Sequence, residues 1–291
     1  MLEHLRSGER LTVSDFDTIA RQFAEIALEA GTAIMLARAG IGSTTFKSDG
    51  SPVTAADLCA NEIICDRLRS ILPGIPIVSE EASAPSSLQA GDRFILVDPL
   101  DGTKEFIQGR DEFTVNIGLI ERGIPVAGAV FAPALGILYV AGNNAYRVEA
   151  VPGEKLAALH DMRLLKARPR PASQWRAVTS RSHLDPDTQS WIDRHPVAEL
   201  RAAGSSLKFC TIAEGDADVY PRLAPTMEWD TAAGDAVLRA AGGSVLDLTG
   251  ALFRYGKPDY RNGSFIAWGL PSDDPASSTP GPLGVNEPCI N

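Results

Sequence analysis

Two segments in the first quarter of the chain place apolar residues at helical spacing, with polar residues between them. The first predicts an amphipathic helix that starts with a capping box at residues 14–17 and reaches about Arg38. The second predicts a helix that begins at Thr54, where Asp57 completes another capping box, and that ends before Pro73.

Runs of β-branched and aromatic residues follow the second helix, bounded by glycine or proline, and they predict five strands. These strands span residues 75–78, 94–97, 114–120, 126–131 and 137–140. Residues 123–142 carry no charged side chain and are about as long as a membrane-crossing helix. Internal prolines and glycines divide them into two short runs, which indicates a buried hairpin instead. We therefore expect residues 1–150 to form an α+β domain, with helices on one side of a mainly antiparallel sheet.

The second half of the chain alternates between strand-like and helix-like segments. A stretch rich in proline and arginine, residues 151–173, marks a domain boundary. The elements predicted beyond it are a strand at 176–179, helices at 187–194, 206–214 and 231–241, and a strand at 244–248. Residues 151–270 are thus expected to form an α/β domain. Residues 271–291 are rich in Pro, Ser, Gly and Asp, which predicts a flexible tail.

The composition restricts the class of protein. With 44% hydrophobic and 22% charged residues, the chain is an ordinary folded one. Its formal net charge of -10 opposes binding to nucleic acid polymers and to anionic lipid, so an anionic substrate requires a locally positive site. Four cysteines without a C-x-x-C pair, and a start without an apolar leader segment, predict a reduced protein of the cytoplasm. The pattern leaves open a peripheral contact with the inner membrane and the oligomeric state.

The densest candidate chemistry is Asp98-Pro99-Leu100-Asp101-Gly102-Thr103, which follows a predicted strand. Two carboxylates project from the strand end, and the N–H groups of Gly102 and Thr103 can face an anion where a short helix begins. Hard oxygen ligands beside an anion pocket favour Mg²⁺ together with a phosphate group. One alternative is that the two aspartates only cap the turn. A calcium loop is disfavoured, because Leu100 offers only its carbonyl oxygen.

Other carboxylates each have an ordinary structural explanation. Glu80 and Glu81 follow the strand at 75–78 and suit a solvated loop, Asp230 suits a helix N-cap, and Asp57 is explained by its capping box. Together, however, they place carboxylates at several element ends without His or Cys nearby, which disfavours zinc. The set fits a two-metal site for phosphoryl hydrolysis, in which metal-activated water replaces a protein nucleophile.

A cationic element lies in the second half. Gly204-Ser205-Ser206-Leu207-Lys208 opens a predicted helix, and Arg222 follows it. Backbone N–H groups, two hydroxyls and these cations suit a phosphate, although surface Lys and Arg are more often merely solvated. The four histidines form no local catalytic pattern, and the absence of a P-loop motif argues against a P-loop nucleotide hydrolase.

Three acidic segments resemble the signatures of the inositol monophosphatase superfamily, whose members are Mg²⁺-dependent, lithium-sensitive phosphatases. The matching segments, in order, are Glu80-Glu81, Asp98-Pro99-Leu100-Asp101-Gly102-Thr103 and Trp229-Asp230-Thr231-Ala232-Ala233-Gly234. Within the superfamily the chain is most similar to bacterial CysQ-type 3'(2'),5'-bisphosphate nucleotidases. Further likeness lies in residues 51–57, 104–106, 180–183, 204–210, 213–215 and 220–222. The resemblance covers about residues 16–268 and implies a layered α/β/α/β/α fold.

The resemblance also implies a role for each candidate residue. The implied metal ligands are the side chains of Glu80, Asp98, Asp101 and Asp230 and the carbonyl oxygen of Leu100. Glu80 and Thr103 are implied to orient the attacking water, with Asp57 hydrogen-bonded to Thr103. The implied substrate contacts are Glu80, Leu100, Asp101, Gly102, Thr103, His183, Ser205, Ser206, Lys208, Arg222 and Asp230.

The implied reaction is hydrolysis of the 3'-phosphate of adenosine 3',5'-bisphosphate (PAP), which leaves AMP. The sulfated form of PAP is a further implied substrate, and both place the reaction in sulfur metabolism. Two or three Mg²⁺ ions are expected, and the partner is a small phosphorylated nucleotide. Because the metal site alone does not select the alcohol, an inositol or sugar monophosphatase is an alternative. A non-catalytic regulator that binds nucleotide or metal is another.

Overall fold

The computed structural model describes residues 13–40, 44–46, 52–82, 93–156, 162–182 and 184–272. Within them lie six α-helices: α1 (Val13–Gly40), α2 (Ala55–Ile71), α3 (Thr103–Ile107), α4 (Pro186–Asp193), α5 (Leu207–Ala213) and α6 (Ala232–Ala240). The strands are β1 (Thr44–Phe46), β2 (Pro52–Thr54), β3 (Ile77–Ser79), β4 (Arg93–Asp101), β5 (Thr114–Glu121), β6 (Ile124–Ala132), β7 (Ile137–Ala141), β8 (Ala145–Glu149), β9 (Arg163–Leu164), β10 (Trp175–Ser180), β11 (Val197–Ala203), β12 (Val219–Arg222), β13 (Thr226–Met227), β14 (Ser244–Asp247), β15 (Arg261–Asn262) and β16 (Phe265–Trp268). Nearly all of the predicted tail lies outside the described residues.

Two large sheets contain most of these strands. The first has the order β3-β4-β5-β6-β7-β8-β9, with β3 and β4 parallel and all other neighbours antiparallel. The second has the order β11-β10-β12-β16-β14, in which β10 is parallel to both of its neighbours and β16 is antiparallel to both of its own. The mainly antiparallel first sheet and the mixed second sheet agree with the α+β and α/β halves expected from the sequence.

Helices alternate with the two sheets in five layers. Helices α1 and α2 pack on one face of the first sheet, α5 and α6 fill the space between the sheets, and α4 covers the far face of the second. This arrangement confirms the α/β/α/β/α fold. Helices α1 and α2, from residues 1–150, lie on one face of the first sheet as expected, and α6 from the second half covers its other face.

Coverage on both faces explains the uninterrupted apolar runs of the first sheet. In β4, Ile95 and Val97 join the core beneath α1 and α2, whereas Phe94 and Leu96 join the core that contains α5 and α6. Successive side chains of a strand point to opposite faces, so a strand covered on both sides needs apolar residues at every position. The second of these cores also contains Val245 of the second sheet, so the division near residue 150 stays a prediction.

The two predicted helix starts had different outcomes. At α2 the capping box is formed: the N–H of Ala56 donates to Thr54 Oγ1 at 3.2 Å, and the N–H of Thr54 donates to Asp57 Oδ2 at 2.8 Å. The prediction of a capping box at residues 14–17 was wrong, because α1 already includes Val13, so residue 14 lies inside the helix. The carboxylate of Asp17 instead accepts the N–H of Asn143 at 2.8 Å, in the turn between β7 and β8.

The charge-free stretch at 123–142 is the hairpin of β6 and β7, as predicted. Among the described helices, none combines the length and the apolar character required to cross a membrane. Several strands of the second half escaped prediction, because β11 is largely exposed and β12 contains Pro221. That proline is tolerated because β12 pairs with β10 only at Val219, so no ladder bond is needed from its nitrogen.

Close packing fixes the position of α6 between the first sheet and α5. Gly118 and Gly128 face each other across β5 and β6, and a Cβ on Gly128 would lie 2.9 Å from the Cβ of Ala236. On the opposite side, a Cβ on Gly234 would lie 2.5 Å from a ring carbon of Phe209 on α5. The absence of side chains at these glycines therefore lets α6 approach the sheet closely.

We expect Gly128→Ala to destabilise the protein by about 1–3 kcal/mol, because the added methyl group must push α6 away from β6. Gly263→Ala is the matched control, since a Cβ there would meet no atom within 4 Å. Urea unfolding of both variants measures the effect. Equal stability of the two would contradict the packing argument.

Candidate active site

Three carboxylates from separate elements converge at one end of the first sheet. Glu80 follows β3, Asp98 lies in β4 and Asp230 precedes α6, and one oxygen of each lies within 4.8 Å of the other two. Strands β3 and β4 are parallel, with Ser79 opposite Val97, so their carboxyl ends are adjacent.

A bulge brings the fourth predicted ligand, Asp101, to the same place. In the pairing of β4 with β5, Asp98 lies opposite Asn116 and Asp101 lies opposite Thr114, so one extra residue is inserted in β4. Residues three apart on a regular strand point to opposite faces, and one inserted residue restores them to the same side. Asp98 and Asp101 accordingly line the same cavity.

Gly102, Thr103 and Asp57 form the adjoining wall. Gly102 has a φ of 94° and immediately precedes α3, a conformation that favours glycine. The hydroxyl of Thr103 lies 3.1 Å from Asp57 Oδ1 and 3.1 Å from the carbonyl oxygen of Leu100, and it can donate its proton to either. Asp57 therefore contacts Thr103 with one oxygen and holds the start of α2 with the other, so its capping explanation and its predicted contact with Thr103 are both correct.

The carboxylates open into a cavity of about 440 Å³. Its walls include the predicted residues Glu80, Asp98, Leu100, Asp101, Gly102, Thr103, Ser205, Lys208, Arg222 and Asp230. Further lining residues are Lys104, Glu105, Ser180, Gly204, Phe209, Tyr220, Pro225, Thr226, Met227, Trp229 and Thr231. His183 lies outside the described residues, so its contact with substrate stays a prediction.

Lys208 and Arg222 form a cationic wall of this cavity. Lys208 is 6% exposed, donates a hydrogen bond to the carbonyl oxygen of Ser205 and lies 5.3 Å from the ring centre of Tyr220. Burial lowers the pKa of Lys208 to about 8, against the opposing effect of the nearby Asp101 carboxylate. Arg222 donates to the carbonyl oxygen of Ala224 at 3.2 Å.

Ser206 is buried within the protein. It is 1% exposed and is not part of the cavity wall. Its hydroxyl accepts a hydrogen bond from Asn116 Nδ2 at 2.9 Å and donates one to the carbonyl oxygen of Asp230 at 2.8 Å. Its hydroxyl is therefore engaged inside the protein, and its contact with substrate stays a prediction.

Glu112 contacts the segment that precedes Lys208, and no sequence motif pointed to this residue. Its carboxylate accepts two hydrogen bonds from Arg181, at 2.7 and 2.8 Å, and one from the N–H of Gly204 at 3.0 Å. The hydrogen bonds from Arg181 lower the pKa of Glu112. Ser205 has a left-handed φ of 42°, so the segment is held in a strained conformation beside this clamp. No local pattern could have revealed it, because Arg181 is 69 residues away.

The electrostatics of the carboxylates favour a bound cation. Withdrawal from water, assisted by Glu80 and other neighbouring carboxylates, raises the pKa of Asp98 well above its usual value. Withdrawal from water also raises the pKa of Asp101 to about 6 and that of Asp230 to about 8. The donor set of the cluster is oxygen only, which fits a hard divalent ion such as Mg²⁺ better than a soft one. The cluster is therefore suited to hold a metal ion.

We expect Asp230→Asn to stabilise the metal-free protein increasingly as the pH rises from 5 to 8. The pKa of Asp230 rises from 3.8 to about 8 on folding, so protonation favours the folded state; this contribution is fully present below pH 3.8 and is lost progressively as the pH rises to about 8. Melting temperatures in chelator at several pH values measure the effect. Asp66→Asn on the exposed side of α2 is the control. A difference from wild type that does not change with pH would contradict this explanation.

Sequence and structure comparisons agree on the relatives of this chain. Residues 15–274 match the Inositol monophosphatase family. Proteins named 3'(2'),5'-bisphosphate nucleotidase CysQ from Shigella flexneri and Escherichia coli (strain K12) are 44% and 43% identical over 237 residues, which is 80% of this chain and 92% of each relative.

Solved structures show the same relationship. CysQ from Bacteroides thetaiotaomicron, described as a bacterial member of the inositol monophosphatase family, superposes with a TM-score of 0.75 at 38% identity, covering 87% of this chain and 98% of that one. An inositol monophosphatase from Anabaena shares the fold with a TM-score of 0.69 at 24% identity, covering 88% and 92% of the two chains. The fold that holds the carboxylate cluster is thus shared with these relatives, and the chain belongs to the inositol monophosphatase family.

Proposed function

We propose that this protein is a Mg²⁺-dependent 3'(2'),5'-bisphosphate nucleotidase that removes the 3'-phosphate of PAP to leave AMP. The observation that carries the proposal is that one cavity is lined both by the acidic cluster and by the cationic wall. The acidic cluster, with Asp98 and Asp230, suits a metal ion and the phosphate under attack, and the cationic wall, with Lys208 and Arg222, suits a second phosphate. Relatives named for the same activity support it.

The metal ligands in this proposal are Glu80, Asp98, Asp101, Asp230 and the carbonyl oxygen of Leu100. Metal ions bound there would offset the charge of substrate and carboxylates and lower the pKa of an attacking water. Metal-activated water is the nucleophile of the proposed reaction, and no cysteine or histidine among the described residues lines the cavity. The proposal also includes inhibition of this phosphatase activity by lithium.

The protein's own residues orient the reactants. Glu80 and Thr103 accept hydrogen bonds from the attacking water, and the contact of Thr103 with Asp57 fixes its hydroxyl on the cavity wall. The N–H groups of Gly102 and Thr103 face the phosphate under attack. Such positioning converts an encounter in solution into a reaction between prearranged groups.

The second phosphate contacts Ser205, Lys208 and Arg222 on the cationic wall. Lys208 is held in place by the carbonyl oxygen of Ser205, and the clamp at Glu112 fixes the backbone of Gly204. A substrate with a single phosphate would offer no second anionic group to these cations. The proposal therefore favours a bisphosphate over an inositol or sugar monophosphate.

The cellular compartment is a secondary part of the proposal. The three described cysteines, Cys59, Cys65 and Cys210, are free thiols, which supports a reducing location such as the cytoplasm. Contact with the inner membrane stays a prediction.

The test compares phosphate release from PAP and from inositol 1-phosphate, with Mg²⁺, with Mg²⁺ plus Li⁺, and with chelator. We expect Mg²⁺-dependent, Li⁺-sensitive release that favours PAP. Lys208→Ala should lower kcat/KM for PAP by about 10- to 100-fold, because a charge-assisted contact to the second phosphate is lost. Its effect on inositol 1-phosphate should be much smaller.

Two controls separate binding from folding. Lys166→Ala removes an exposed lysine outside the cavity and should leave both reactions unchanged. Lys208→Met keeps most of the buried stem and should reproduce the change in preference. Equal losses for both substrates in the Lys208 variants would contradict the assignment to a nucleotide bisphosphate. Metal-dependent binding of PAP without phosphate release would favour the regulator alternative.

A further inference from the structure

We propose that Asn116 is a positioning residue that sets the spacing between the metal ligands Asp101 and Asp230. The inference rests on the proposed function, because it takes these two carboxylates to be metal ligands. It assigns a role to a residue outside the three acidic segments and outside the cavity wall.

Asn116 is a buried amide in the largely apolar strand β5, across from the acidic end of β4. It is 1% exposed, lies in the middle of β5 opposite Asp98, and has Val115 and Ile117 as fully buried neighbours. Burial of an amide is unfavourable unless its hydrogen-bonding groups find partners. Asn116 meets this requirement at its nitrogen, whereas its oxygen Oδ1 has no hydrogen-bond partner in the described structure.

Both hydrogens of the amide nitrogen have such partners. Nδ2 donates to Asp101 Oδ2 at 3.2 Å and to Ser206 Oγ at 2.9 Å. The chemistry of the partners fixes the orientation of the amide: an ionised carboxylate only accepts, and Ser206 uses its own proton on the carbonyl oxygen of Asp230 at 2.8 Å. A flipped amide would place its oxygen against the carboxylate.

The result is a continuous chain of hydrogen bonds from Asp101 through Asn116 and Ser206 to the backbone of Asp230. It links three elements that sequence separates widely: the end of β4, the start of α5 and the turn before α6. The N–H of Met227 donates to Asp230 Oδ2 at 2.8 Å, so the side chain of Asp230 is oriented within the same turn. Asn116 thus fixes how far apart two ligands from different halves of the chain lie.

This role differs from a contribution to stability alone. Outer partners that orient metal ligands commonly change metal affinity by about 10- to 100-fold when removed. If Asn116 positions the ligands, its loss weakens metal binding in the absence of any substrate. If it only stabilises the fold, the melting temperature falls and the metal concentration needed for half-maximal effect stays the same.

The experiment first measures the melting temperature of four proteins as Mg²⁺ is added without substrate: wild type, Asn116→Ala, Asn116→Ser and Thr114→Val. It then measures the rate of PAP hydrolysis of each protein at each Mg²⁺ concentration. Thr114→Val is the matched control, because Thr114 lies two residues away on the same strand, is fully buried, and has a hydroxyl without a hydrogen-bond partner in the described structure.

We expect Asn116→Ala to raise the Mg²⁺ concentration for half-maximal stabilisation by at least about tenfold, and high Mg²⁺ to restore most of the hydrolysis rate. Asn116→Ser keeps one donor and should show a smaller shift, and Thr114→Val should show none. If Asn116→Ala does not fold, the Mg²⁺ requirement of Asn116→Ser tests the inference. An unchanged Mg²⁺ requirement in a folded Asn116 variant would overturn the inference. Mg²⁺ stabilisation of the wild type without hydrolysis would instead refute the proposed function.

Discussion

Mutual repulsion among carboxylates is the constraint around which this protein is built. Asp98, Asp101 and Asp230 are held close together and away from bulk water, in a state that resists ionisation. Such a cluster is stable only if protons or cations neutralise it and if the surrounding structure prevents it from spreading apart. The bulge in β4 and the close approach of α6 to Gly118 and Gly128 serve the second requirement.

The same constraint explains how an acidic protein can bind an anion. The chain has a net charge of -10, yet Lys104, Lys208 and Arg222 all line the cavity that holds the carboxylates. Metal ions held by the carboxylates would offset their negative charge, and the cations would then face an anionic substrate. Glu112 accepts a hydrogen bond from the N–H of Gly204, which holds the segment that precedes Lys208 beside the residues that lead into β5.

Local patterns predicted the parts of the structure that depend on local physics. The capping box at Thr54 and the hairpin of β6 and β7 need only neighbouring residues, and both were predicted correctly. The acidic cluster was predicted from its carboxylates at the ends of several elements and from the resemblance of their segments to a family signature. The burial of Ser206 depends on distant residues, because its hydroxyl bonds Asn116 and Asp230, which lie 90 and 24 residues away. A polar residue inside an apolar strand was the available signal for Asn116.

The most direct test of the central claim is an anomalous-difference map of crystals grown with Mn²⁺, which substitutes for Mg²⁺ and can be located without ambiguity. The account predicts at least one ion coordinated by Glu80, Asp98 and Asp230, with Asp101 and the carbonyl oxygen of Leu100 beside it. Ions bound only elsewhere, or a cluster that stays empty at saturating Mn²⁺, would contradict it.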